Sequence, residues 1–106
     1  MTYQWHTGRS VSASDIVAAV RHELSSHAQR HAHGLALIET AGGVASPTAE
    51  GTLQCDLYAA LRMDGILVGD GRLGGISATL AAMDALLLRG HTVPLVLLTE
   101  VRLCVE

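Results

Sequence analysis

The sequence predicts an α/β fold in which a parallel β-sheet is flanked by helices. Short continuous apolar runs of strand length alternate along the chain with longer stretches in which apolar residues recur at helical spacing. This alternation is typical of a parallel sheet whose strands are joined by helices. Hydrophobic residues make up 49% of the 106 positions and charged residues 16%, a balance that excludes a disordered chain. The length is that of a single domain.

The first predicted elements are a helix and a buried strand. Apolar residues at helical spacing predict a helix over residues 13–28, and Ser12 followed by Asp15 has the form of a capping box at its start. The apolar run over residues 34–38 is typical of a strand buried on both faces. We expect this strand to end at Glu39 and to lead into a glycine-containing loop.

Two more strands and a short helix are predicted further along the chain. Leucines at i, i+4 and i+8 predict the short helix over residues 52–62. Continuous apolar runs predict buried strands over residues 66–68 and 95–98.

A glycine-rich loop and a helix are predicted between these two strands. The loop covers residues 69–75 and the helix residues 76–89, with Gly90 as the left-handed stop. Four apolar residues of this helix share one face: Ile76, Leu80, Met83 and Leu87.

Charge and termini exclude several classes of protein. Seven basic residues against ten acidic ones leave no positive surplus for binding nucleic acid. No apolar run approaches the roughly 18 residues that span a membrane, and the first residues do not resemble a secretory signal. A soluble intracellular protein is therefore expected, with Cys55 and Cys104 as reduced thiols.

Two strand ends carry the residues that favour ligand binding. In open parallel sheets ligands collect beyond the carboxyl ends of the strands, where this sequence places two glycine-rich loops. Their backbone N–H groups, with the helix that follows the second loop, favour an anion such as a carboxylate or a phosphate. Glu39 at the first strand end is a candidate Mg²⁺ ligand, because this cation takes one or two carboxylates together with phosphate oxygens. Tight turns and a solvated strand-end carboxylate are the alternative interpretation of the same residues.

Two other constellations give weaker hypotheses. The spacing Gly69-x-Gly71-x-x-Gly74 matches the dinucleotide fingerprint after a strand and before a helix, although the acidic residue expected to follow would be Glu100, farther away than is usual. Histidines cluster at His22, His27, His31 and His33. The middle two are four residues apart and could share a metal on one helix face, or simply form a polar helix end. No Ser-His-Asp or Cys-His arrangement is readable.

Three stretches, in this order, resemble dethiobiotin synthetase, and in particular the synthetase half of fused enzymes that also carry a diaminopelargonate aminotransferase. They read ETAGGVASP over residues 39–47, GTLQCDL over residues 51–57 and ILVGDGRLGGIS over residues 66–77. The resemblance covers roughly residues 35–90. It implies a P-loop NTPase-like α/β fold and closure of the ureido ring of dethiobiotin from 7,8-diaminopelargonate, CO₂ and ATP with Mg²⁺.

The resemblance also implies roles for individual residues. Glu39 would coordinate Mg²⁺, and the backbone of Thr40, Ala41, Gly42 and Gly43 would contact nucleotide phosphates and substrate. The carboxylate tail of the diamine would be held across a dimer interface by a second group: Leu73, Gly74, Gly75, Ile76 and Ser77.

The sequence departs from that family in two respects. The motif G-x-x-x-x-G-K-[ST], whose backbone and lysine hold phosphates, does not occur, and all seven basic residues are arginines. We therefore expect residues 1–106 to form a single incomplete dethiobiotin synthetase-like domain that is inactive alone and works as a homodimer or with a complementing chain, in the cytoplasm or the mitochondrial matrix. The alternatives are a non-catalytic module that binds a small carboxylate or a partner chain, and a small nicotinamide-dinucleotide-binding unit.

Overall fold

The computed structural model describes residues 11–100 of the chain. The chain divides into two compact units, Met1–Leu61 and Arg62–Glu106. The first unit contains helix α1 (Ala13–Arg30) and the short helix α2 (Gln54–Leu57), which continues as a 3-10 turn over Tyr58–Leu61. The second contains strand β1 (Ile66–Asp70), helix α3 (Gly75–Leu88) and strand β2 (Leu95–Thr99). The prediction of one domain over residues 1–106 remains a prediction.

Helix α1 begins as the sequence predicts. Ser12 lies in extended conformation ahead of the first turn, and its hydroxyl accepts a hydrogen bond from the backbone N–H of Asp15 over 3.1 Å. This satisfies one of the N–H groups that a helix start leaves without an intrahelical partner. The helix ends at Arg30, two residues beyond the predicted end, and none of its residues is buried.

The prediction of a strand over residues 34–38 is wrong. The segment has no regular secondary structure, and Leu35 and Leu37 are 78% and 80% exposed, while Ala36 and Ile38 are half-buried. A strand needs a neighbour for its N–H and C=O groups and a layer on each face. Among residues 11–100 the one ladder is that between β1 and β2, so this segment has no strand beside it.

The short helix predicted over residues 52–62 is present in a shorter and tighter form. One α-helical turn over Gln54–Leu57 passes into a 3-10 turn. An isolated antiparallel bridge between Pro47 and Leu53 precedes it. The helix start and the loop before it are tied together, since the N–H of Gln54 donates to the carbonyl of Ser46 and that of Cys55 to Val44, each over 2.9 Å.

The parallel sheet of the second unit confirms the predicted fold class. Strands β1 and β2 pair in parallel with Ile66 opposite Leu95 and Asp70 opposite Thr99, and helix α3 connects them. Strand β1 extends to Asp70, two residues beyond its predicted end. Gly69 faces α3, because a Cβ placed on it would lie 2.5 Å from the Thr79 hydroxyl.

Helix α3 ends where the sequence predicts. Gly90 has a φ of 80°, and the N–H groups of Gly90 and His91 donate to the carbonyls of Leu87 and Leu86. This pair of bonds is the Schellman pattern that closes a helix on a left-handed glycine.

The apolar stripe of α3 is largely uncovered. Three of its four members are more than half exposed, namely Ile76, Leu80 and Leu87. The side of α3 that packs on β1 carries Gly75 and Thr79 instead, because only small side chains fit against the strand end.

Buried apolar residues are few in the described chain. Cys55, Leu57 and Leu67 are buried, together with the polar Gln54. Cys55 is not in a disulfide, as expected, and Cys104 lies outside the described residues. Within residues 11–100 no helix is long and apolar enough to cross a membrane.

Candidate functional site

The loop after Glu39 folds into a tight turn. The hydroxyl of Thr40 donates to the carbonyl of Gly42 over 2.7 Å, and the N–H of Gly42 donates back to the carbonyl of Thr40 over 3.0 Å. Gly42 has a φ of 107°, and a Cβ on it would lie 2.8 Å from the Ser46 hydroxyl, so only glycine fits. Among the described residues, no acceptor engages the N–H groups of Thr40, Ala41 and Gly43.

This arrangement refines the expectation for the loop. Residues 40–43 were all predicted to contact ligand through their backbone. In this conformation the N–H of Gly42 already donates within the turn. The amides left for a phosphate or another anion are therefore those of Thr40, Ala41 and Gly43, which follow one another closely around the turn.

The carboxylate of Glu39 is exposed at the start of this turn. No hydrogen bond or ion pair joins it to another residue of the described chain, and residues 11–100 contain no cluster of three His, Cys, Asp or Glu side chains that could hold a metal. A lone carboxylate fits Mg²⁺, which commonly takes one or two protein carboxylates and fills its remaining positions with phosphate oxygens and water. It does not fit a structural zinc site, which needs four protein ligands.

The second loop brings its predicted residues together at the start of α3. Gly74 precedes the helix with a φ of 84°, and the N–H of Gly75 donates to the carbonyl of Arg72 over 2.8 Å. The N–H groups of Ile76 and Ser77 have no acceptor among the described residues, as expected for the first turn of a helix. They point along the positive end of the helix dipole, which favours an anion. The side chain of Leu73 is fully exposed beside them.

Thr79 fixes this helix start to the end of β1. Its hydroxyl accepts the N–H of Asp70 over 3.2 Å and donates to the carbonyl of Gly75 over 2.7 Å. A Cβ on Gly75 would collide with the carbonyl oxygen of Asp70. The first turn of α3 is therefore held directly against the strand end.

Asp70 and Arg72 form a two-pronged ion pair across the turn between β1 and α3. The Nε of Arg72 lies 2.9 Å from one carboxylate oxygen of Asp70 and 3.0 Å from the other, and a terminal nitrogen lies 2.8 Å from the nearer one. The backbone N–H of Arg72 also donates to the Asp70 carboxylate over 2.9 Å. These hydrogen bonds lower the pKa of Asp70 and raise that of Arg72.

Sequence reasoning missed Thr79, Asp70 and Arg72. Thr79 stands one helical turn after Gly75, the spacing at which a hydroxyl reaches the carbonyl four residues back. Asp70 and Arg72 stand two apart around a glycine, which is the spacing of a side chain that hydrogen-bonds the backbone two residues on. Both signals are local and were readable in the sequence.

The histidine cluster forms a pair in the structure. The rings of His27 and His31 lie 4.9 Å apart at the end of α1. No third ligand joins them within the described part of the chain. The pair stands at the carboxyl end of the helix dipole, where a polar helix end is favourable.

The sequence matches a known family of protein domains. Residues 3–103 match the AAA domain family designated AAA_26. The chain is 62% identical over 66 residues to the bifunctional dethiobiotin synthetase/7,8-diamino-pelargonic acid aminotransferase, mitochondrial, of Arabidopsis thaliana, which covers 62% of the chain and 8% of that protein. It is 51% identical over 84 residues to a bifunctional dethiobiotin synthetase/aminotransferase of Emericella nidulans, covering 79% of the chain and 10% of the relative.

A separate, unfused enzyme is also similar. The ATP-dependent dethiobiotin synthetase of Phenylobacterium zucineum is 44% identical over 66 residues, which is 62% of the chain and 28% of the relative. The chain thus spans less than a third of the length of each of these three relatives. The P-loop NTPase-like α/β class inferred from the sequence motifs is confirmed in partial form by the family match and the parallel sheet. The chain belongs to the AAA domain family and is a fragment-length match to its dethiobiotin synthetases.

Proposed function

We propose that this chain carries part of the active site for dethiobiotin formation in biotin biosynthesis. The observation that supports this proposal is the 62% identity over 66 residues to a bifunctional dethiobiotin synthetase. The proposed reaction has three steps. Carbon dioxide adds to one amine of 7,8-diaminopelargonate as a carbamate, ATP phosphorylates the carbamate oxygen with release of ADP, and the second amine closes the ureido ring as phosphate leaves.

The turn after Glu39 would bind the nucleotide in this scheme. The unengaged amides of Thr40, Ala41 and Gly43 would donate to phosphate oxygens and substrate, and the Glu39 carboxylate would hold Mg²⁺. When bound, Mg²⁺ would neutralise charge on the phosphate oxygens. Preorganised donors of this kind act mainly by positioning and by stabilising charge as it develops.

The start of α3 would bind the carboxylate tail of the diamine. The N–H groups of Ile76 and Ser77 can donate to a carboxylate placed on the helix axis. The exposed side chain of Leu73 would lie against the aliphatic chain of the substrate or against a partner protomer. Gly74 would let the ligand approach the backbone, because a Cβ on it would lie in open space, whereas Gly75 lets the helix start pack against Asp70.

Activity of the 106-residue chain by itself is not part of the proposal. Without G-x-x-x-x-G-K-[ST] and without lysine, we expect no ATP- and bicarbonate-dependent dethiobiotin formation by the purified chain. The proposal requires a complementing chain that supplies this motif and a lysine, because a second copy of the same sequence lacks both. A second copy would contribute only the dimer interface, and the compartment would be the cytoplasm or the mitochondrial matrix. Product formation by the purified chain alone would contradict this expectation.

Titration of the isotopically labelled chain tests the carboxylate site directly. Adding 7,8-diaminopelargonate should shift the backbone amide signals of Ile76 and Ser77. The matched control ligand is 2,3-diaminononane, in which a methyl group replaces the carboxylate, and it should leave these two signals in place. The proposal fails if both ligands shift the signals equally or if neither does.

A non-catalytic module that binds a partner chain is the second candidate. The exposed apolar side chains of β1, β2 and α3 favour it, because contiguous apolar surface marks interaction sites. It predicts tight association with a partner and no response of Ile76 and Ser77 to the diamine acid. The nicotinamide alternative predicts a change in NADH fluorescence on titration with the chain, and a null result would remove it.

A further inference from the structure

We propose that Asp70 and Arg72 are positioning residues for the carboxylate site at the start of α3. The inference rests on the proposed function, because it concerns the same helix start. In this role the pair does not touch the ligand. It holds the turn that presents the amides of Ile76 and Ser77, and it removes a negative charge that would repel an incoming carboxylate.

A series of hydrogen bonds links Asp70 to the start of the helix through Arg72. The Asp70 carboxylate accepts both from the guanidinium of Arg72 and from its backbone N–H. The carbonyl of the same Arg72 accepts the N–H of Gly75, the first residue of α3. The side chain and N–H of Arg72 are thus bound to Asp70, and its carbonyl is bound to Gly75. Holding Arg72 in this orientation therefore holds the turn that leads into α3. A two-pronged arginine–carboxylate pair has a defined geometry that a single-point contact lacks.

The charges of the pair also bear on binding at the helix start. Asp70 is the last residue of β1 and lies beside the first turn of α3, since a Cβ on Gly75 would be 2.9 Å from the Asp70 Cβ. A lone carboxylate at this position would oppose binding of a second carboxylate at the helix start. Pairing with Arg72 leaves the turn with no net charge. The helix dipole and the unengaged amides then attract the ligand carboxylate without repulsion from Asp70.

One edge of the Arg72 guanidinium is already bound to Asp70. An arginine near an anion site would ordinarily be taken as a ligand of the anion. Here its Nε and one terminal nitrogen are committed to Asp70. The structure therefore assigns Arg72 to the turn and leaves anion binding to the backbone.

Three variants separate the two contributions. Arg72→Gln removes the clamp and leaves Asp70 charged. Asp70→Asn removes the clamp and leaves Arg72 charged. The double variant Asp70→Asn/Arg72→Gln removes the clamp while keeping the turn neutral. Asp84→Asn and Arg89→Gln are the matched controls, because Asp84 lies on α3 beyond its first turn and Arg89 is the residue that follows the end of α3.

Two measurements are made on each protein. The first is the amide hydrogen-exchange rate of Gly75 without ligand, with Leu67 and Val68 as internal references for the fold. The second is the Kd for 7,8-diaminopelargonate from the amide shifts of Ile76 and Ser77. We expect all three variants to exchange several-fold faster at Gly75 with unchanged reference rates. Arg72→Gln should weaken binding most and the double variant less, while the two controls match the wild type.

The outcomes decide between the two proposals. Wild-type exchange at Gly75 in Arg72→Gln and in Asp70→Asn would overturn the positioning role, even if the ligand binds. Faster exchange with an unchanged Kd in all three variants would overturn it as well. A wild-type chain that does not bind the diamine acid overturns the carboxylate site and the pair's role in it. In that case the exchange rates still report whether the pair orders the turn.

Discussion

The hydroxyl of Thr79 accepts a hydrogen bond from the backbone N–H of Asp70 over 3.2 Å and donates one to the carbonyl of Gly75 over 2.7 Å. One side chain thus joins the last residue of β1 to the first residue of α3. The N–H of Asp70 is a backbone donor at the end of a strand, and the Thr79 hydroxyl gives it an acceptor. The position of the candidate carboxylate site depends on this contact.

The contact predicts the effect of replacing Thr79 with valine. Thr79→Val keeps the β-branched shape but leaves the N–H of Asp70 without its acceptor. An unsatisfied buried donor costs about 1–3 kcal/mol, and because this site is part-buried, we expect a loss near 1 kcal/mol. Urea unfolding measures it, and Thr92→Val, an exposed threonine outside the helix, is the control. Equal stability of the two variants would contradict the bridging role.

The close approach of Gly75 to the Asp70 backbone predicts a larger loss of stability when Gly75 is replaced. Gly75→Ala would drive a Cβ into the carbonyl oxygen of Asp70, and neither group is the end of a flexible side chain. We expect a loss of about 1–3 kcal/mol or more from overpacking. Gly65→Ala is the control, because the nearest atom to its Cβ would be the Thr92 carbonyl oxygen at 3.8 Å, an ordinary contact. Thermal unfolding should separate the two variants clearly.

The ion pair predicts a pH dependence of fixed sign. Hydrogen bonding to Arg72 lowers the pKa of Asp70 below its ordinary value of 3.8. A carboxyl whose pKa is lowered in the folded state contributes stability above the ordinary value, and that contribution is lost as pH falls through the folded value. The contribution is small because the pair is exposed to solvent.

Carboxyl titration followed by NMR measures this directly. In the wild type, Asp70 should titrate below 3.8. Arg72→Gln should move it back toward the ordinary value, whereas Arg89→Gln should leave it unchanged. A wild-type Asp70 that titrates at or above its ordinary pKa would show that the pair does not form in solution.

The uncovered face of the sheet predicts self-association. Leu67 is buried and Gly69 faces α3, so Ile66 and Val68 project from the opposite face of β1. Their register partners Leu95 and Leu97 are on the same face of β2, and all four are exposed. A contiguous apolar surface and unpaired strand edges favour association.

Sedimentation velocity tests that surface. The wild type should sediment as a concentration-dependent oligomer, and Val68→Thr should shift it toward monomer, because threonine keeps the strand preference while reducing apolar area. Val11→Thr, at an exposed valine outside the sheet, should leave the distribution unchanged. A wild-type chain that remains monomeric at high concentration contradicts the prediction.

The parts of the fold that follow from local pattern were predictable. The Ser12 cap and the Gly90 stop are set by residue types within a few positions of each other. The parallel pairing of the strands around Leu67 and Val96 was predictable for another reason, because two apolar runs joined by a helix are typical of a parallel sheet. The strand over residues 34–38 was not, because a strand depends on a neighbour that local sequence does not contain. The exposure of the apolar stripe of α3 could not be predicted either. Apolar spacing shows which residues share a helix face, but it does not show what covers that face.

The sequence was sufficient to predict which two loops form the candidate site, but not the hydrogen bonds within them. Glycine-rich strand ends indicated anion binding, and the motif resemblance added the ligands. The sequence did not show that the N–H of Gly42 is used within its own turn, nor that Asp70 and Arg72 neutralise each other. Both depend on hydrogen-bond geometry, which is settled only when the backbone of each turn is known.

A chimaeric enzyme gives the most direct test of the central claim. In the Phenylobacterium zucineum synthetase, the segment that corresponds to residues 35–90 would be replaced by those residues of this chain, and ATP- and bicarbonate-dependent dethiobiotin formation measured. We predict an active chimaera that loses activity with Glu39→Gln and retains it with Asp64→Asn, an exposed carboxylate within the same segment. A folded chimaera that forms no dethiobiotin, or one indifferent to Glu39→Gln, would contradict the account.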